Sequence, residues 1–182
     1  MPTALIAYAT THGHTAKICR RIAEVLRAAG TDVDLAELAT AADDADPAAH
    51  DGTIVAASIH RGTHQHEVVD WIERNRASLA EHPSALVSVS LTAAEDTDEA
   101  REVTAALCRD LSSETGWTPT RTLAAAGALQ YREYDFFTRT LMRLLMRRGG
   151  HPTDASQDYD YTDWDAVDRF ATDFNALLTP TG

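Results

Sequence analysis

A glycine set among threonines and histidines marks the part of this sequence best suited to bind an anion. It follows the first apolar run and opens the first amphipathic pattern, in a loop of Thr10, Thr11, His12, Gly13, His14 and Thr15. Hydroxyls and backbone N–H groups at the start of a helix favour a phosphate, because unpaired amides and the helix dipole both attract negative charge. The loop lacks the Gly-Lys-Ser/Thr ending of a Walker loop and the three spaced glycines of a dinucleotide fingerprint. An ordinary turn with a threonine cap is the alternative that this loop alone leaves open.

Two later loops have the composition to hold a flat ring. The first follows the third apolar run and contains Ser58, Ile59, His60, Arg61 and Gly62 before it reaches His64. The second follows the fourth apolar run and contains Ser90, Leu91, Thr92 and Ala93. A small hydroxyl, an apolar side chain and a glycine can form one wall against a heteroaromatic ring, and the second loop can form the other wall. A phosphate cradle with two walls for a planar ring describes FMN better than it describes ATP.

The elements that must position these loops are strands alternating with helices. Apolar runs predict strands over 4–9, 33–38, 53–57, 85–91 and 121–127, the second of them exposed on one side and therefore at an edge. Amphipathic periodicity predicts helices over 15–29, 66–79, 98–114 and 163–178. This order predicts a doubly wound five-stranded parallel sheet with helices on both faces, in a single domain spanning residues 1–182. Ligands of such sheets bind beyond the carboxyl ends of the strands, where the three loops converge.

Charge and hydropathy exclude some classes of protein. The net charge of −12 argues against general binding to nucleic acid, because a phosphate backbone would be repelled. We see no signal sequence and no run of about 20 apolar residues, so we expect a soluble, cytoplasmic protein. Lys17 is the only lysine, and the other basic residues are arginines. An acidic, lysine-poor surface suits solubility in high salt, which suggests a halophilic source as a hypothesis.

A basic segment at residues 131–150 reverses the sign of the charge. Five arginines against two acidic residues give it a local charge of +3. It begins with Tyr131 and Arg132, and Arg139, Arg143 and Arg147 recur with a helical spacing beside leucines and methionines. Such a helical insert could bind a substrate that bears carboxylates, or make peripheral contact with the anionic inner face of the cell membrane. A helix packed on the sheet with solvated arginines is the alternative.

Metal-dependent and hydrolytic chemistry are less favoured. His12, His14, His60, His64 and His66 approach the same end of the predicted sheet, but no ligand-spacing motif supports a metal site, and we predict none. No serine lies in a nucleophile elbow, and neither cysteine lies in a loop beside a base. We assign no catalytic side chain.

Several segments resemble known flavoproteins. The strand-loop-helix ALIAYATTHGHTAKI is similar to the phosphate-binding signature of the flavodoxins. The segments AASIHRGTHQHEVVDWI, PSALVSVSL, AGALQY and YTDWDAV together resemble a narrower family, the bacterial menaquinone-dependent (oxygen-independent) protoporphyrinogen dehydrogenases. The resemblance covers nearly the whole chain. One departure is His12, which stands where the flavodoxin loop commonly has an acidic residue before its glycine.

The resemblance implies a flavodoxin-like fold with strand order 2-1-3-4-5 and FMN as cofactor. It places Thr10 to Thr15 around the phosphate and Ser58 to Gly62 beside the ring. It also implies electron transfer from protoporphyrinogen IX or another tetrapyrrole to a quinone, in haem biosynthesis, with the flavin N5 as the reaction centre. A quinone reductase with another donor, and a non-enzymatic carrier between protein partners, stay open as alternatives. The oligomeric state is open as well.

Overall fold

The computed structural model describes residues 1–129 and 159–178. The strands are β1 (Thr3–Tyr8), β2 (Asp32–Glu37), β3 (Gly52–His60), β4 (Thr63–His64), β5 (Ser84–Ser90), β6 (Arg121–Ala126), β7 (Ala128–Leu129) and β8 (Tyr159–Asp160). The helices are α1 (His14–Ala28), α2 (Leu38–Ala41), α3 (His66–Glu81), α4 (Asp98–Thr115) and α5 (Trp164–Leu178). Short 3-10 turns cover Pro47–Ala49 and Thr92–Ala94.

Five of these strands form a parallel sheet in the order β2-β1-β3-β5-β6. The predicted fourth and fifth strands correspond to β5 and β6, so the predicted order 2-1-3-4-5 and the fold class are confirmed. The prediction that the second strand lies at an edge is also confirmed: Val33 and Ala36 are buried, whereas Asp32 and Asp34 are exposed. The carboxyl ends of β1, β3 and β5 therefore lie side by side, which brings the loops after them together.

The carboxyl end of the third strand differs from the prediction. We expected the strand to end at Ala57, but β3 continues to His60 and pairs antiparallel with β4 through a tight turn. The predicted second loop is thus mostly a β-hairpin. The apolar run ends where the strand leaves the buried sheet, because Ser58, Ile59 and His60 are partly or fully exposed. A prediction from hydrophobic periodicity ends a strand where its side chains cease to be buried, although the backbone hydrogen bonds to a neighbouring strand can continue further.

Apolar side chains alternate across the sheet and fill two cores. On one face, Ile6 of β1 packs with residues of α1 and α5, including Ile22 and Phe174. On the other face, Leu5 of the same strand packs with residues of α3, including Trp71. Successive strand residues point to opposite faces, so a strand covered on both sides must be apolar throughout, as β1 is.

Helix α1 is held to the C-terminal part of the described chain by polar and apolar contacts. Its apolar stripe contains Ile18 and Ile22, both fully buried, and it ends before Gly30, whose φ of +89° lies in the left-handed region. Arg21 donates two hydrogen bonds of 2.7 and 2.6 Å to the carboxylate of Asp168 on α5. These contacts hold α5 against α1.

The predicted basic segment, with Tyr131, Arg132, Arg139, Arg143 and Arg147, lies outside the described residues. Within residues 1–129 and 159–178, no helix combines the length and apolar character needed to cross a bilayer.

Candidate functional site

A cavity of about 380 Å³ opens at the carboxyl ends of β1, β3 and β5. Its walls come from the loop before α1, from the hairpin after β3, from the end of β5 and from the chain after β6. The lining residues are Thr10, Thr11, His12, His14, Thr15, Ser58, Ile59, His60, Arg61, Val89, Ser90, Leu91, Gly127 and Ala128. All three loops predicted to carry the chemistry therefore contribute to one cavity.

Four of the residues predicted to bind the cofactor do not line this cavity. Gly13 and Gly62 lie in turns of the backbone with positive φ, and residues adjacent to them in the sequence line the cavity. Thr92 and Ala93 fall in a 3-10 turn that starts as the chain leaves the cavity, and the Ala93 N–H donates to Ser90 Oγ over 3.2 Å. Sequence reasoning missed three lining residues, Val89, Gly127 and Ala128, of which the last two belong to the AGAL segment of the resemblance.

The loop before α1 has the geometry of an anion cradle. Gly13 has φ +80° and forms the N-cap position of α1, and its N–H donates to Thr10 Oγ1 over 2.9 Å. No side chain of the described residues caps this end of the helix. Thr15, in the first turn of α1, is 1% exposed and lines the cavity. Backbone N–H groups at the helix start and a buried hydroxyl thus converge on one side of the cavity.

A glutamine that sequence reasoning missed ties two of the walls together. Gln65 Nε2 donates to Thr11 Oγ1 over 3.1 Å, and Gln65 Oε1 accepts from the Ser58 N–H over 3.1 Å. One side chain therefore sets the separation between the anion cradle and the hairpin. No local pattern marks Gln65, because its two partners lie on different loops.

His14 is fixed by a residue far away in the sequence. Its Nε2 lies 2.7 Å from Thr162 Oγ1, and that hydroxyl donates to the Ala126 carbonyl over 2.9 Å. Since the single hydroxyl proton is used on Ala126, Nε2 must be the donor, and neutral His14 keeps an acceptor at Nδ1. Burial lowers the pKa of His14; Asp160 opposes this shift and Lys17 adds to it.

Asp160 and Lys17 form an ion pair next to His14. Lys17 Nζ lies 2.7 Å from Asp160 Oδ2 and 4.8 Å from the ring centroid of Trp164. Burial tends to raise the pKa of Asp160, but hydrogen bonds from Lys17 and Thr162 outweigh it, and the pKa lies below its ordinary value. The segment from Asp160 to Trp164, which contains the YTDW motif of the resemblance, is thereby anchored on the first turns of α1.

The hairpin turn at the cavity rim is built from Arg61 and Gly62. Their φ values are +52° and +85°, the combination of a type I′ turn. The centroid of the His60 ring lies 6.2 Å from that of the His12 ring, and burial together with His12 lowers the pKa of His60. Just behind the turn, the buried Ser58 Oγ has no hydrogen-bond partner in the described part of the chain.

His64 has a structural partner instead of a ligand. Its Nε2 lies 3.0 Å from Ser88 Oγ on β5, and His64, in β4 of the hairpin, is buried. Burial lowers the pKa of His64 to about 4. In the described ranges, no group of three His, Cys, Asp or Glu side chains is arranged to hold a metal ion.

We expect His64 to make folding stability fall in mild acid. Its pKa is about 4 in the folded protein and about 6.5 when unfolded, so the unfolded chain binds more protons between these values. The contribution of His64 to the free energy of unfolding is complete above pH 6.5. It is lost as the pH falls towards 4, which lowers the free energy of unfolding by up to about 3 kcal/mol. Urea unfolding at several pH values measures it. His64→Gln should flatten this slope, whereas His66→Gln, at an exposed site, should not; equal slopes in all three proteins would contradict the prediction.

The sequence comparisons agree with this architecture. Residues 5–156 match the flavodoxin domain family. The chain is 34% identical over 182 residues to the protoporphyrinogen IX dehydrogenase (quinone) of Leishmania major, a match that covers 97% of this chain and 76% of the relative. It is 28% identical over 173 residues to the enzyme of that name from Escherichia coli K12, covering 95% and 94% of the two chains.

Solved flavodoxins share the fold. A short-chain flavodoxin associated with a bacterial microcompartment superimposes with a TM-score of 0.61 at 15% identity, covering 98% of this chain and 100% of the other. Oxidised flavodoxin 1 from Bacillus cereus gives a TM-score of 0.57 at 14% identity, covering 97% and 99%. The resemblance noted in the sequence is confirmed: the chain belongs to the flavodoxin domain family and, within it, to the family of the protoporphyrinogen IX dehydrogenases (quinone).

Proposed function

We propose that the cavity binds FMN, with the phosphate in the cradle before α1 and the ring between the hairpin and the end of β5. Membership of the flavodoxin family supports this cofactor. The residues also fit it: the cradle offers N–H and hydroxyl donors, and no carboxylate lines the cavity among the described residues. The unpartnered Ser58 Oγ lies where a ring edge with hydrogen-bonding atoms would satisfy it.

We further propose that the protein is an FMN-dependent dehydrogenase that oxidises protoporphyrinogen IX or a related tetrapyrrole and reduces a quinone, with menaquinone as the expected acceptor. The observation that carries this proposal is the similarity to enzymes of that name over nearly the full chain. In each turnover the donor would lose two electrons and two protons, and the quinone would gain both to become a quinol. FMN supplies the ability to accept an electron pair from one partner and pass it to another.

The chain's own residues have binding and positioning roles in this proposal. Gln65 holds the phosphate cradle and the hairpin at a fixed separation. Thr162 fixes the tautomer of His14, so that His14 presents Nδ1 as an acceptor when neutral and as a donor when protonated. A bound phosphate dianion would favour the protonated form.

Anaerobic oxidation of protoporphyrinogen IX by the FMN-loaded protein tests the function. With a menaquinone analogue as acceptor, porphyrin fluorescence reports the product. A rise that requires both flavin and quinone would support the proposal. A flavin that is bound and reducible, but gives no such rise, would favour another donor or an electron carrier.

The basic segment gives a prediction about substrate or membrane binding. Replacing Arg139, Arg143 and Arg147 together by Gln should weaken turnover or partitioning onto anionic vesicles while FMN stays bound, because carboxylates and anionic lipids both pair with guanidinium groups. The matched control replaces three exposed arginines of other helices by Gln, namely Arg20 of α1 and Arg74 and Arg76 of α3. Unchanged kinetics and unchanged partitioning in the first variant would contradict the prediction.

The acidic surface gives a prediction about salt. With a net charge of −12 and a single lysine, the folded chain carries strong self-repulsion that salt screens. We therefore expect a higher Tm in molar potassium chloride than in dilute buffer, measured by calorimetry. Greater stability in dilute buffer would argue against adaptation to high salt.

A further inference from the structure

Arg61 adopts a backbone conformation that its residue type disfavours. Its φ of +52° makes it the only residue other than glycine in the left-handed region within the described ranges. Asparagine and glycine are the residues that normally occupy this position of a type I′ turn, and Asn-Gly is the preferred pair. Because arginine occupies this position despite the unfavourable backbone conformation, and does so at the rim of a cavity, we expect its side chain to have a role there.

The surroundings of Arg61 leave its charge available to a ligand. Arg61 is one of the residues that line the cavity, and among the described residues no carboxylate lines that cavity. At a given pH, a larger fraction of the neighbouring His60 is neutral than of an ordinary histidine, because burial and His12 lower its pKa. Arg61 is thus a basic residue at the rim, in a protein whose net charge is −12.

We propose that Arg61 binds a carboxylate of the substrate at the cavity rim and so selects donors that carry carboxylates. This inference rests on the proposed function, since the propionate side chains of protoporphyrinogen supply that group. An arginine fork pairs with a carboxylate through two parallel hydrogen bonds, which fix orientation as well as affinity. The turn would then hold the ring system of the donor next to the flavin.

The test separates binding from folding by using a substitution that suits the turn. Arg61→Asn removes the guanidinium and creates the favoured Asn-Gly pair, so Tm should stay the same or rise. Protoporphyrin IX binding to the FMN-loaded protein, followed by fluorescence, should weaken about 10- to 100-fold. The dimethyl ester of protoporphyrin lacks the carboxylates, and its affinity should be equal in the variant and the parent protein. Arg76→Gln, at the opposite end of the sheet, is the matched control and should change neither affinity.

Each outcome decides the question. Unchanged binding of the free acid by Arg61→Asn, or equal losses for acid and ester, would overturn the inference, as would a parent protein that binds no porphyrin. A loss of FMN from the variant would instead assign Arg61 to the cofactor and overturn it as well. If acid binding depends on Arg61 but no quinone-dependent oxidation occurs, the carboxylate site stands and the proposed dehydrogenase activity fails.

Discussion

Replacing Thr15 by valine is expected to weaken FMN binding about 10- to 100-fold. The substitution keeps the shape of a side chain that is 1% exposed, but it removes the hydroxyl from the cradle at the start of α1. A hydrogen bond to a charged group contributes about 1.5–3 kcal/mol, which corresponds to this loss of affinity. Titration of the apoprotein with FMN, followed by flavin fluorescence quenching, measures the change.

Riboflavin supplies the control, because it has the ring of FMN without the phosphate. Thr15→Val should leave the weak binding of riboflavin unchanged, since the lost hydroxyl would face only the phosphate. Thr118→Val, at an exposed position near the other end of the sheet, should change neither affinity. Equal losses for FMN and riboflavin would show that Thr15 supports the ring or the fold, and the phosphate would have to bind elsewhere.

Phe174→Ala is expected to lower the free energy of unfolding by about 3–5 kcal/mol. Phe174, on α5, is fully buried against α1 and the sheet, and truncation of its side chain would leave a cavity where these layers meet. The packing there is tight: a Cβ on Gly52 would lie 3.2 Å from Phe174 Cζ and would collide with Leu178 Cδ2. The surroundings therefore have little freedom to collapse, which puts the expected cost at the upper end for such a substitution.

Urea unfolding followed by circular dichroism measures this loss. Val103→Ala is the control, because Val103 is 44% exposed on α4 and its truncation should cost no more than about 0.5 kcal/mol. If both variants unfolded at the same urea concentration, α5 would be a dispensable cover and not part of the cooperative core.

The sheet could be predicted because its signals are local. Runs such as residues 4–9 are apolar at every position, which is typical of strands covered on both faces, and the helices between them have a clear apolar stripe. With alternating elements, the handedness of the crossovers leaves few arrangements. The three loops after the strands were therefore predictable as one site, and most of their residues line one cavity.

The contacts that shape the site could not be predicted in this way. Thr162 and His14 are 148 residues apart in the sequence, and Gln65 reaches across 54 residues to Thr11. Hydrophobic periodicity carries no information about such polar pairs. The extension of β3 to His60 was missed for a related reason, since its backbone pairing continues where side-chain burial has ended.

The pairing of Lys17 with Asp160 has a practical consequence. Because Lys17 is the only lysine, its amine is the single side-chain target in this chain for an amine-selective reagent. The same amine forms the ion pair and the aromatic contact that anchor the segment from Asp160 to Trp164. Acylation of that one atom would therefore remove the charge from both contacts at once.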